Sequence, residues 1–237
     1  MSRKATAVLL ALVGALVLTA VQPAGATIVT TPISTTIDLS QLFTGSTPDG
    51  VPPWLTATFT SQTGATTGTL TLSSQLSGAD FVQGLSSPTA ALGWGFDLSS
   101  SLSSISCTSA SCATSDLFGS SYNAGPVPGV FNLAFGWSSS NRFASGSSSE
   151  TYTLTFASPL SGNPFVANAS GWDSVAHVQG IGSNASCSGW IVSGTGTIGS
   201  PTPCGGTQNV PEPGALGIFG FGILLTGIAM GFRKRLN

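Results

Sequence analysis

Asp173, Ser174 and His177 lie within a five-residue stretch, and His177 is the only histidine in the chain. These are the parts of a nucleophilic hydrolase, in which a histidine takes the proton of a serine and an aspartate orients the ring. Such a triad needs its members to meet at a special geometry, which neighbours along one strand rarely do. The Gly-x-Ser-x-Gly nucleophile elbow is also absent around Ser174. His177 therefore reads as a structural or edge-strand residue. Gly194-x-Gly196-x-x-Gly199 spells a dinucleotide fingerprint in letters, but it runs into Ser200-Pro201-Thr202-Pro203, which cannot open the helix that would receive a phosphate. It reads as a loop. Glycosidase chemistry needs two carboxylates facing each other across a sugar. Asp80, Asp97, Asp116, Glu150 and Asp173 are available, and no spacing pairs them. No Asp-x-Asp-x-Asp-Gly ladder marks a calcium loop, although one structural calcium on loop acids stays open. No catalytic residue, metal site or cofactor is expected, and the chain is read as non-enzymatic.

The tryptophans offer a different chemistry, stacking on sugar rings. Trp94 and Trp137 fall on regular apolar faces and are expected in the core. Trp172 and Trp190 lie beside Gly-rich turns and are the expected exposed glycan contacts.

The elements that must carry these residues are strands. Leu92, Trp94, Phe96 and Leu98 alternate with polar or small residues, as do Phe131, Leu133, Phe135 and Trp137. Tyr152, Leu154 and Phe156 form a third set, with Thr151, Thr153 and Thr155 on the opposite side. Leu70 with Leu72, and Ala57 with Phe59 near Trp54, add two more. Period-two patterns rich in Thr, Val and aromatics suit a pleated, half-buried surface. Gly, Pro, Ser and Asn clusters separate them as turns. No helical stripe and no fixed-period repeat competes. The expectation is an all-β body, an antiparallel sandwich or jelly roll; a disordered body is the alternative that its Ser/Thr/Gly-rich composition raises.

Charge is scarce, at 6% of residues. Between residues 27 and 209 the only cation is Arg142, set against Asp38, Asp49, Asp80, Asp97, Asp116, Glu150 and Asp173. Seven acids and one base give this body a net charge near −6. A nucleic-acid backbone is held by several Lys or Arg, so nucleic acid and anionic lipid are both poor partners for the body.

The two ends differ from the body. Arg3 and Lys4 precede an apolar run from Ala5 to Ala20, and Ala24-Gly25-Ala26 supplies the small-x-small pattern that signal peptidase accepts. Residues 1–26 are expected to be a signal peptide, with a retained anchor as the alternative. Residues 27–209 are the expected secreted β-rich domain. At the other end, Val210-Pro211-Glu212-Pro213 precedes an apolar run over 215–232, long enough for a transmembrane helix. Arg233-Lys234-Arg235 follows and should stay cytoplasmic as a stop-transfer cluster. This ordered pattern over 210–237 resembles the PEP-CTERM sorting signal. The resemblance implies that Pro211, Glu212 and Pro213 are recognised by an exosortase, a membrane transpeptidase, and that the precursor is anchored in the inner membrane before it reaches the cell surface or the medium. An anchor that is never cut is the alternative.

Trp54–Thr60, Thr69–Ser73, Gly95–Leu98 and Ala176–Ile181 resemble phrases of a recurrent kind of PEP-CTERM substrate. That likeness bears on architecture and export, not on a reaction. It implies a surface or matrix structural protein in an exopolysaccharide or biofilm setting; the alternative reading is a carbohydrate-binding module. In an exported chain Cys107, Cys112, Cys187 and Cys204 are expected to be oxidised. Three pairings exist. Cys107–Cys112 and Cys187–Cys204 are favoured because each closes a local loop, and the spacing suits no zinc site.

Overall fold

A computed structural model of the chain describes residues 30–84, 93–144 and 149–202. The expected signal peptide (1–26), the sorting tail (210–237) with its apolar run (215–232), and Cys204 lie outside these residues. Among the described residues every regular element is a strand and none is a helix.

Numbered along the chain, β1 (Pro32–Leu39), β3 (Leu55–Gln62), β4 (Thr67–Ser74), β7 (Leu102–Cys107) and β11 (Ser149–Phe156) make one sheet, in the order β1-β3-β4-β11-β7. All four of its ladders are antiparallel. The other sheet holds β2 (Gln41–Gly45), β5 (Phe81–Val82), β6 (Trp94–Leu98), β8 (Ser115–Ala124), β9 (Val127–Gly136), β10 (Phe143–Ala144), β13 (Trp172–Ile181) and β14 (Cys187–Gly194). The short β12 (Phe165–Val166) pairs with the end of β6. At the centre of this sheet, β13 pairs with β14 along one side and with β6 and β5 along the other. His177 thus lies on an interior strand, not an edge.

The alternation read from the sequence orients the first sheet. Tyr152, Leu154 and Phe156 of β11 are buried, and Thr151, Thr153 and Thr155 face outward. Ala57 and Phe59 on β3, and Leu70 and Leu72 on β4, join them. Trp94 and Phe96 of β6, Leu133 and Phe135 of β9, and Ala176 and Val178 of β13 meet these residues from the second sheet. Burial of this shared apolar layer holds the sheets face to face in a sandwich.

The second sheet is covered on its outer face as well. Phe43, Trp172, Val175, Trp190 and Val192 form a separate apolar cluster with Tyr122, Ala124, Val127 and Phe131 from the β8–β9 hairpin. Phe131 is in phase with Leu133 and Phe135 but packs in this second cluster. The hairpin turns through Gly125-Pro126 between Ala124 and Val127. Gly125 takes φ +55°, as the first central position of a two-residue hairpin loop favours. A Cβ there would lie 3.0 Å from Cζ2 of Trp190, so glycine also lets the tip close on the indole.

Candidate functional site

Ser174 and His177 are on opposite faces of β13. Ser174 is fully buried toward the main core, where its Oγ accepts from Nε1 of Trp94 at 2.8 Å and donates to the Gly95 carbonyl at 2.9 Å. The His177 ring stacks on Trp190, 4.5 Å between centroids and 11° between planes. Burial pushes the imidazole down to about 4, so it is neutral at ordinary pH. Asp173 occupies the irregularity between Trp172 and Ser174, and burial raises its carboxyl above the usual range. The three residues do not converge, and His177 serves to fill the second core.

Trp172 and Trp190, expected at the surface, are buried; their exposures are 0% and 8%. The glycines beside them are there for close approach rather than exposure. A Cβ on Gly196 would stand 2.3 Å from Cε2 of Trp172, so only a bare backbone can cross that ring. Gly194 and Gly199 of the fingerprint-like run are equally crowded, against the Gly171 carbonyl at 2.3 Å and the Phe43 carbonyl at 2.8 Å. Those three glycines are a packing device. Trp94 and Trp137 are in the core as expected.

Among the cysteines, Cys107 and Cys112 are joined, with Cα atoms 6.1 Å apart. Cys187 is also disulfide-bonded. The 107–112 loop is tied to β11, since the Thr108 amide donates to the Thr151 carbonyl at 2.8 Å and the Thr151 amide to Ser109 Oγ at 3.1 Å.

Two acids are buried in ways that spacing did not disclose. Glu150, 2% exposed, accepts Nε1 of Trp137 on both carboxylate oxygens at 3.0 and 3.1 Å. The Tyr152 hydroxyl donates to the same carboxylate and accepts the Ala113 amide at 2.8 Å. Burial, then the Glu150 hydrogen bond, raises the Tyr152 pKa, so this hydroxyl keeps its proton. The constellation has donors committed to every contact and no access for a substrate; it is a core polar network. Asp80, 1% exposed, accepts the Asp49 amide at 2.6 Å. Nothing in the sequence paired these two loops, 31 residues apart.

No family model, curated protein or solved structure matches the chain.

The surface that remains is hydroxyl-rich. An open groove of about 260 Å³ runs between Ser99–Leu102 and Phe118–Ser121, floored by Asn132. Asn132 is committed to the backbone, bonding both the Leu98 amide and carbonyl at 2.9 and 2.8 Å.

Proposed function

We propose that this chain is an exported structural protein of the cell surface or extracellular matrix, sorted by a PEP-CTERM/exosortase system and acting in an exopolysaccharide or biofilm setting. One observation carries this reading: the ordered run of Pro211-Glu212-Pro213, an apolar stretch over 215–232 and Arg233-Lys234-Arg235. Proline on both sides of Glu212 disfavours helix and sheet on sequence grounds, which suits recognition by a membrane enzyme. The body is consistent with a passive role, because its histidine, its serine at 174 and its buried Glu150 are all absorbed by packing. The oxidised cysteines fit an exported chain. We read its two antiparallel sheets as a jelly-roll-like sandwich.

The test is Pro211→Ala with Glu212→Ala in a host that carries an exosortase. Wild type should appear shortened at the surface or in the medium, and the double variant should stay full-length in the membrane fraction. Equal size and equal retention for both would make the tail a plain anchor. The carbohydrate-binding alternative has lost Trp172 and Trp190 as contacts; saturable binding to a purified polysaccharide by the folded chain would revive it through the hydroxyl-lined groove.

A further inference from the structure

Asp80 carries a buried carboxylate oxygen with nothing to bind. Its Oδ2 takes the Asp49 amide at 2.6 Å, while Oδ1 is enclosed and has no hydrogen-bond partner among the described residues. A buried, unsatisfied carboxylate oxygen is costly and rare. The surroundings make the cost larger. Asp80 lies at the end of a turn closed by its own amide on the Ser77 carbonyl, 3.2 Å away. The Asp49 side chain turns toward the same turn, its Oδ2 standing 3.0 Å from where a Cβ of Gly78 would be. Two carboxylates therefore share one small region.

Among the described residues no cation is paired with Asp80. Arg142 is the only Lys or Arg between residues 27 and 209, and its contacts are with the residue after Asp80 and with a backbone carbonyl, not with the carboxylate. Its guanidinium lies over the Phe81 ring at 4.1 Å, and its Nε donates to the Ser139 carbonyl at 3.0 Å. Protonating Oδ1 would relieve the repulsion but would create a buried donor still in need of an acceptor. Two further oxygens of the 75–80 loop face the 46–53 loop. Ser77 Oγ and the Gln75 carbonyl lie 3.1 and 3.7 Å from the position of a Cβ on Gly50, next to Asp49. Carboxylates, a hydroxyl and a carbonyl presented by irregular loops are the ligands of a hard cation with flexible coordination.

We propose that Asp49 and Asp80 form a calcium site between the 46–53 and 75–80 loops, with Ser77 and the Gln75 carbonyl as supporting oxygens and water completing the shell. Two carboxylates place the dissociation constant on the order of 10⁻⁴–10⁻³ M, in the range of extracellular modules. Magnesium, which demands near-ideal octahedral geometry and sheds water reluctantly, suits such loops less.

Calorimetric titration of calcium chloride into the chelator-stripped full-length chain tests this, with thermal melts alongside. One saturable site is expected, with a melting temperature that rises as the site fills. Asp49 is exposed, so Asp49→Asn should fold normally and bind calcium at least about tenfold more weakly. Asp80→Asn should abolish the calcium-dependent shift. Asp38→Asn removes one charge at an exposed cross-strand pair with Thr56 and should bind as wild type does. The proposal is overturned if the wild type shows no saturable binding, if Asp49→Asn binds as tightly as the wild type, or if magnesium stabilises as well as calcium.

Discussion

At single residues the interior holds groups whose ionisation works in opposite directions. The folded pKa of His177 lies near 4, below the 6.5 of a free imidazole, so the unfolded chain takes up a proton first on acidification. Stability supplied by the neutral, stacked ring is present above about 6.5 and lost as pH falls toward 4. Asp80 runs the other way. Its folded pKa is about 6 against 3.8 unfolded, so its burial destabilises as pH rises through that interval, and stability returns on acidification. Asp97 and Asp173, also held up by burial, add to the Asp80 side. In chelator, Asp80→Asn should therefore lose more urea resistance on acidification than wild type, and His177→Gln should lose less. Matching slopes for all three proteins would show that neither group titrates as its burial implies. Glu150 gives a sharper loss. Glu150→Ala strands the Trp137 and Tyr152 donors and should cost about 3 kcal/mol in a denaturant melt. Tyr152→Phe, which leaves the Trp137 contacts in place, should cost only about 1–2 kcal/mol.

Among the elements, β3, β4 and β11 were legible because each has one face on the main core and one face polar or less buried, and β6 and β9 because small or polar residues (Gly95, Asp97, Asn132, Ala134) alternate with large apolar ones, so period two survives in the residues. The strands β13 and β14 were not legible in that way. Val175 and Ala176 are neighbours on β13 and both are fully buried, one in each apolar cluster; Ile191 and Val192 do the same on β14. A strand covered on both faces has no alternation to read. In β1, Thr35 sits on the inward phase between Ile33 and Ile37 and dilutes the pattern. The same hidden layer explains why Trp172 and Trp190 looked exposed: glycine-rich turns beside an indole are compatible with a platform or with a lid, and only the hairpin's position decides between them. Trp172→Ala should thus act on folding, costing about 3–5 kcal/mol. Any loss of polysaccharide retention in that variant should follow its unfolded fraction. A stable, fully folded Trp172→Ala protein would mean that the outer layer contributes little. The Asp49–Asp80 meeting was illegible for another reason, since it depends on the register of the β3–β4 hairpin, which sets Leu55 opposite Ser74 and so brings the loop before β3 beside the loop after β4.

For the whole molecule, cohesion comes from two apolar layers, backbone ladders and cross-links, with 6% of residues charged. Surface ion pairs weaken with salt, whereas buried contacts do so far less. In the absence of calcium, raising sodium chloride from about 0.05 to about 0.5 M should hardly move the urea midpoint. The Cys107–Cys112 bond closes a short loop, and its removal by Cys107→Ser with Cys112→Ser should cost about 2 kcal/mol by loop entropy. A loss several times larger would show that the 107–112 loop, through its ties to Thr151 and Tyr152, orders β11 as well.

The lone stacked arginine has a practical outcome. Trypsin-like proteases cut after Lys or Arg, and between residues 27 and 209 only Arg142 offers such a bond. Its side chain lies over Phe81, and the next residue, Phe143, is in the short strand β10. A tryptic digest of the native protein should leave this whole stretch as a single fragment, and Arg142→Gln should keep it single even after denaturation. With no lysine in the same stretch, amine-reactive dyes and crosslinkers will find no side chain to label there. A coat built of such chains would be hard to digest with that class of enzyme and hard to see with the commonest protein labels.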